Sequence, residues 1–167
     1  VSSWLHLESG TSGSVYEATI GSPDAQSILT NNGQTSMTEA AKALLTEGGA
    51  VAIKVVHENY HDPRGSLWMA QCAYNEFIVS EWLDNGVLPT MIAIFKCEKT
   101  IYILMELIKG RDGFNFIRNG QLGRVDFSVV RLLVEQLLRF LAHMHKLGYC
   151  HMDIKPENIM VTGETGE

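Results

Sequence analysis

Apolar and polar residues alternate in short runs near the start of the chain and settle into longer helical periods toward its end. Residues Trp4–Leu7 and Val15–Thr19 carry strand-like runs on either side of a Gly-rich turn, Gly10-Thr-Ser-Gly13. The run Ala50–Val56 is dense in β-branched residues. Its period of two places Val51, Ile53 and Val55 on one face, with Ala52 and Lys54 on the other. Asp62-Pro63 and Gly65 break the chain after it, and Ser66 is positioned to cap a helix over about Leu67–Leu83, stopped at Asn85-Gly86. Met91–Cys97 and Thr100–Leu107 form a predicted strand pair joined at Glu98-Lys99. A Gly-containing break at Lys109–Gly113 precedes a short helix, Phe114–Asn119.

The strongest helical period covers Phe127–Lys146. Arg131, Glu135 and Arg139 recur every fourth residue as one narrow polar stripe, and nearly all else on the helix is apolar, which predicts burial. Gly148 is placed to end it. His151–Asn158 follows as a polar loop, then Ile159–Val161 as a short strand. Between Ile20 and Gly49 the chain is rich in Ser, Thr, Asn, Gly and Ala and reads as an exposed insertion. Inside it, Ser36-Met-Thr-Glu39 is a capping-box pattern ahead of a turn or two of helix over Ala40–Thr46. The order of strands, helix, strands, then helix and loop predicts a small β-rich layer with one helix, followed by a helical part.

Composition narrows the function classes. At 167 residues and 46% apolar content the chain has length for about one domain with a true core. Thirteen Lys and Arg stand against 19 Asp and Glu, a net charge of −6 with no basic run, so neither nucleic acid nor an anionic membrane is an expected partner. Cys72, Cys97 and Cys150 are far apart and odd in number. They suit reduced thiols and an intracellular setting, cytoplasmic or nuclear. The histidines show no coherent ligand spacing, and His143 and His145 fall on different helix faces. The opening Val1-Ser2-Ser3-Trp4 is not a signal peptide and lacks Met, and the longest apolar stretch carries three charges, which argues against a membrane span.

Four segments carry candidate chemistry. They are His151-Met-Asp153-Ile-Lys155-Pro-Glu-Asn158, Val51-Ala-Ile-Lys54, Glu8-Ser-Gly10-Thr-Ser-Gly13-Ser-Val15, and Ile103-Leu-Met105-Glu106-Leu-Ile108. The first resembles the catalytic loop of eukaryotic-type protein kinases, usually H-R-D-L-K-P-E-N, and its Lys is typical of the Ser/Thr class. The second resembles the kinase strand lysine motif, the third the Gly-rich loop, and the fourth the hinge between lobes.

The resemblance implies an α+β, protein-kinase-like two-lobe fold. Residues 1–107 would form the complete small β-rich lobe with an insertion at about 20–49, and 108–167 the first part of the helical lobe. It implies an ATP-dependent protein Ser/Thr kinase with ATP and Mg2+ as cofactors and a protein substrate. Asp153 would accept the proton of the attacking hydroxyl, Lys155 would offset charge on the phosphoryl group, and Asn158 would ligate the metal. Lys54 would hold phosphates and pair with a helix glutamate, Glu76 in preference to Glu81. Gly10 and Gly13 would let backbone amides approach phosphate. Val15, Ala52 and Met160 would sandwich the base, with Met105 as gatekeeper, the Glu106 carbonyl and Ile108 amide at its edge, and Asp112 near the ribose.

The sequence also departs from the pattern. Glu8 replaces the first Gly, Ser12 the usual aromatic, and Met152 the Arg that normally grips an activation-loop phosphate. The Asp-Phe-Gly segment is absent before Glu167. The expectation is therefore a truncated domain, with a large apolar face of the Phe127–Lys146 helix exposed without its partners, inactive alone but active in an intact parent, with a pseudokinase serving as a nucleotide-binding or scaffold module as the alternative. A small-molecule kinase is disfavoured, because such enzymes typically lack the Lys155-Pro-Glu-Asn158 run.

Overall fold

The computed structural model describes residues 4–10, 13–19, 49–57, 65–83, 86–118 and 126–163. The capping box at Ser36–Glu39 and nearly all of the 20–49 insertion lie outside them. The chain divides into two compact units, Val1–Leu107 and Ile108–Glu167.

The first unit is a five-stranded antiparallel sheet with a helix on it. Strands β1 (Leu5–Gly10), β2 (Gly13–Thr19), β3 (Ala50–His57), β4 (Met91–Cys97) and β5 (Thr100–Glu106) lie in the order β1-β2-β3-β5-β4. The first hairpin is tighter than the sequence implies, for β1 runs on to Gly10 and pairs it with Gly13. β3 is central, pairing with β2 and β5. Its alternation therefore feeds two cores. Val51, Ile53 and Val55 join Ala18, Ala93, Phe95 and Leu104 on one face. Val56 joins Ile101 and Ile103 on the other, where helix α1 (Gly65–Trp82) adds Ala73 and Phe77. Ile53, Ile101 and Ile103 are almost fully buried, each worth about 1.5–3 kcal/mol over exposure. Trp4, Tyr16 and Tyr102 pack against the first cluster, with Phe95 stacked on Tyr102 at 5.2 Å.

Helix α1 begins at Gly65, so Ser66 lies inside its first turn and not ahead of it. It keeps its apolar contacts to one stripe: Ala73 and Phe77 stand one turn apart, and Glu76 flanks them three residues after Ala73. That spacing places a carboxylate beside the apolar seam.

In the second unit, β6 (Arg111–Asp112) pairs with β7 (Met160–Val161), and helix α2 (Gly113–Arg118) packs on this strand pair and on the 3-10 turn Pro156–Asn158. β6 falls where the sequence shows only a break. Gly113 is required there, since a Cβ would stand 2.8 Å from the Pro156 carbonyl oxygen while the Gly113 amide donates to Ile159 O at 2.7 Å.

Helix α3 covers Phe127–Lys146. Asp126 caps its start, accepting from the Ser128 amide at 2.7 Å. Its end is a Schellman motif: Gly148 adopts φ +86, its amide donates to His145 O and the Tyr149 amide to Met144 O. Helix α3 leaves a large apolar face exposed, as expected, although its period alone predicts burial. Phe140 and Met144 are buried, but Phe127 is 80% exposed, Leu138 59% and Val134 46%. The other described elements of this unit are too short to cover a helix of 20 residues.

Candidate functional site

In the first unit, the pairing register brings the sequence-predicted residues of the sheet onto one face. Val15 faces Lys54, Lys54 faces Ile103, and Ala52 faces Met105. Directly paired residues share a face, so Val15, Ala52, Lys54 and Met105 stand together, on the side where α1 packs. Lys54 Nζ donates to both carboxylate oxygens of Glu76, each at 2.7 Å. The lysine side chain is only 14% exposed and the glutamate 40%. Such a charge needs a fixed counter-charge, because a partly desolvated ammonium without one is unfavourable. The Glu81 side chain lies outside the described residues. Around this cation the face is apolar, which suits a flat, weakly polar ring beside an anionic group.

Gly13 has a structural reason to be glycine. Its φ is +137, and a Cβ would meet the Val55 carbonyl oxygen at 2.4 Å. The hairpin therefore lies tight against β3 at this point. Gly10 is its strand partner, and the side chain of Glu8, which pairs with Val15 along the backbone, is outside the described residues. At the far end of β5, Glu106 is tied to the segment before β4: its amide donates to Thr90 O at 2.9 Å, and the Thr90 amide donates to Glu106 Oε2 at 3.0 Å.

In the second unit, Asp153 is the centre of the 151–158 loop. Lys155 Nζ lies 3.0 Å from Asp153 Oδ2. Asn158 Nδ2 donates to the Asp153 main-chain oxygen and to Oδ2, each at 2.8 Å. The Asp153 amide donates to His151 Nδ1 at 3.3 Å, a contact within the loop itself. Lys155 and then Asn158 hold the Asp153 carboxyl below its ordinary pKa, so it is an anion at neutral pH, able to accept a proton or a hydrogen bond. With Asn158 Nδ2 spent on Asp153, its Oδ1 is the hard oxygen left for a cation such as Mg2+. Met152, between His151 and Asp153, is 90% exposed and takes φ +65, a left-handed conformation unusual for an unbranched apolar residue.

Asp112 and Met160 are strand partners. The Asp112 carboxylate also caps α2, with the Asn115 amide donating to Oδ1 at 2.8 Å and Asn115 Nδ2 to Oδ2 at 2.6 Å. The backbone amide first, and the side-chain amide second, lower its pKa. Ile108 opens this unit and is partly buried. The Asn115 clamp and the Thr90–Glu106 tie had no signal in the sequence beyond an Asp three residues before an Asn.

The antiparallel sheet with its lysine-to-helix ion pair, and the helix, polar loop and short strand pair of the second unit, define an α+β domain of kinase-like build. The chain belongs to the protein kinase domain family, whose model matches residues 28–167. It is similar to the MAP kinase kinase kinase win1 of Schizosaccharomyces pombe, 35% identical over 116 residues, which is 70% of this chain and 8% of that protein. It resembles the serine/threonine-protein kinase cds1 of the same yeast, 42% identical over 72 residues, 42% of this chain and 15% of the relative. Mouse sperm motility kinase 2A is 28% identical over 130 residues, 78% of this chain and 24% of its own length. The chain thus spans only a small part of each of these relatives. Among the described residues, no helix is long and apolar enough to cross a membrane.

Proposed function

We propose that the chain supplies the nucleotide-facing sheet and the proton-accepting loop of an ATP-dependent protein kinase that transfers the γ-phosphate to Ser or Thr of a protein substrate, inside the cell. The observation that carries this reading is the Asp153 loop. A carboxylate held anionic by Lys155 and Asn158, with the amide oxygen of Asn158 open to a hard cation, is what positioning a hydroxyl beside a metal-bound phosphate requires.

In this reading Asp153 orients the attacking hydroxyl and takes its proton, and Lys155 offsets the charge of the phosphoryl group. Asn158 would hold Mg2+, which when bound neutralises phosphate charge. Lys54, fixed by Glu76, would grip the non-transferred phosphates. Val15, Ala52, Met105 and Met160 would enclose the base, the Glu106 carbonyl and Ile108 amide would meet its edge, Asp112 would lie near the ribose, and Gly10 and Gly13 would bring backbone amides toward phosphate. Residues 1–107 then correspond to the small lobe and 108–167 to the start of the large one. The similarity to several Ser/Thr kinases supports the choice of acceptor.

The test is phosphate transfer to Ser/Thr peptides by the full-length protein and its Asp153→Asn variant. Loss of a positioned base lowers turnover by about 10²–10⁴-fold, with the fold retained. Equal turnover in the two proteins refutes the assignment.

A further inference from the structure

Helix α1 carries large apolar residues on both of its sides. Ala73 and Phe77 are buried in the core it shares with the sheet. On the side away from them, Trp68 is 42% exposed, Tyr74 39%, Ile78 40% and Trp82 65%. These are not scattered. Tyr74, Ile78 and Trp82 follow one another at every fourth position, which makes a single row on the helix surface, about 12 Å long at 1.5 Å per residue. Trp68 stands one turn before Gln71, and Gln71 Nε2 donates to Asn75 Oδ1 at 2.8 Å, so the polar side chains of this face bind each other. Contiguous apolar residues of this size left in water mark a surface that meets something. The charge here has one sign. From Gly65 to Gly86 the chain carries Glu76, Glu81 and Asp84 and no lysine or arginine, while Arg64 precedes the far end of the helix. The C-terminal end of a helix adds negative partial charge of its own, and the exposed Trp82, the last residue of α1, is an aromatic side chain suited to a cation.

We propose that the outer face of α1 docks a basic amphipathic helix of a partner protein. Its apolar side meets Tyr74, Ile78 and Trp82, and a lysine or arginine lies beside Trp82 at the acidic end of α1. Charge complementarity decides the occupant. Two copies of this face set like charges against each other, and an anionic bilayer or a nucleic acid is repelled by the same carboxylates. A cationic segment is attracted. The four-residue row decides its form, because such a ridge fits the groove of a second helix and is read by residues at the same spacing. Trp82, large, exposed and at the charged end, is the anchor of the contact.

Fluorescence anisotropy of labelled synthetic peptides, titrated with the 167-residue chain, tests this. One probe is a helical peptide of about 20 residues with a leucine stripe flanked by lysines, and its twin has glutamates in place of the lysines. The lysine peptide should bind about tenfold tighter than its twin and lose that margin in about 1 M salt. Trp82→Ala and Ile78→Glu should each weaken it about tenfold or more. Both positions lie on the exposed side of α1, and Tyr74→Ser covers the case in which the glutamate variant does not fold. Leu138→Glu, on the exposed side of α3, should leave binding unchanged. No binding, equal binding of the two peptides, or binding that falls with Leu138→Glu and not with the α1 substitutions overturns the proposal. So does dimerisation of the unaltered chain, seen by sedimentation and abolished by Ile78→Glu, for the face then belongs to a second copy.

Discussion

Gly13→Ala separates a structural glycine from a ligand-approach glycine. The new methyl would stand 2.4 Å from the Val55 carbonyl oxygen and 3.2 Å from its carbon. Ordinary contact begins about an ångström farther out. Both atoms belong to paired strands, so neither a rotamer change nor a side-chain shift can relieve the overlap. A φ of +137 adds backbone strain of about 1–3 kcal/mol for a residue with a Cβ, and forced overpacking adds about 1–3 kcal/mol more. The sum is about 2–6 kcal/mol, a large part of the 5–15 kcal/mol typical of a domain. At about 4–8 °C per kcal/mol for a unit of this size, the melting transition should fall by about 10 °C or more. Thermal unfolding followed by circular dichroism, with no nucleotide in solution, measures it. A melting curve identical to that of the parent, with nucleotide affinity lost, would show that the close approach to Val55 constrains nothing and that only a ligand reads this glycine.

Gly148→Ala offers the contrast: φ is +86 but a Cβ would meet nothing within 4 Å, so the expected loss is only about 1–2 kcal/mol, and Gly148→Asn should cost less in the same denaturation assay. Glu76→Gln removes the counter-charge of a lysine that is 14% exposed. It should destabilise the first unit by about 1–3 kcal/mol, read as a lower urea midpoint, and Lys54→Met on top of it should recover part of the loss, because the unpaired charge goes with it. The Asp153 contacts should depend on pH in one direction. The folded carboxyl titrates below its ordinary value, so their contribution is complete above about pH 3.9 and is lost as pH falls through the lower folded value. Carbon-13 titration of the carboxyl checks this, and a midpoint above the ordinary value refutes it.

Elements with a strong local period were legible before the structure. β4 is Met91–Cys97 and α3 is Phe127–Lys146 in both readings, because β-branched alternation in the one and a continuous 3.6-residue period in the other need no distant partner. β6 was not legible, since Arg111-Asp112 has no strand pattern of its own and is extended only because Val161 and Met160 pair with it. The exposure of Leu138 and Val134 was expected of a truncated domain but not of the helical period alone: hydrophobicity states what a face prefers to bury, not whether its neighbours are long enough to cover it. At the candidate site, residue types were visible in the sequence but their contacts were not. Lys54 and Glu76 are 22 residues apart, and the helix phase leaves more than one glutamate to consider. The Thr90–Glu106 exchange is invisible in a string of letters, because it depends on where one strand stops.

The double role of β3 also determines where the chain tolerates changes of length. Ile53, Lys54 and Val55 alternate between two cores, one of them holding the ion pair with Glu76. A residue gained or lost between Thr19 and Ala50 leaves every rung of that ladder in place. The same change between Ala50 and His57 exchanges the faces beyond it, driving an ammonium into the Leu104–Phe95 cluster and presenting an isoleucine or valine to Glu76. Variation in length should therefore accumulate before this strand and stop abruptly at its first residue, a boundary that variant libraries with single-codon insertions and deletions would locate to the residue.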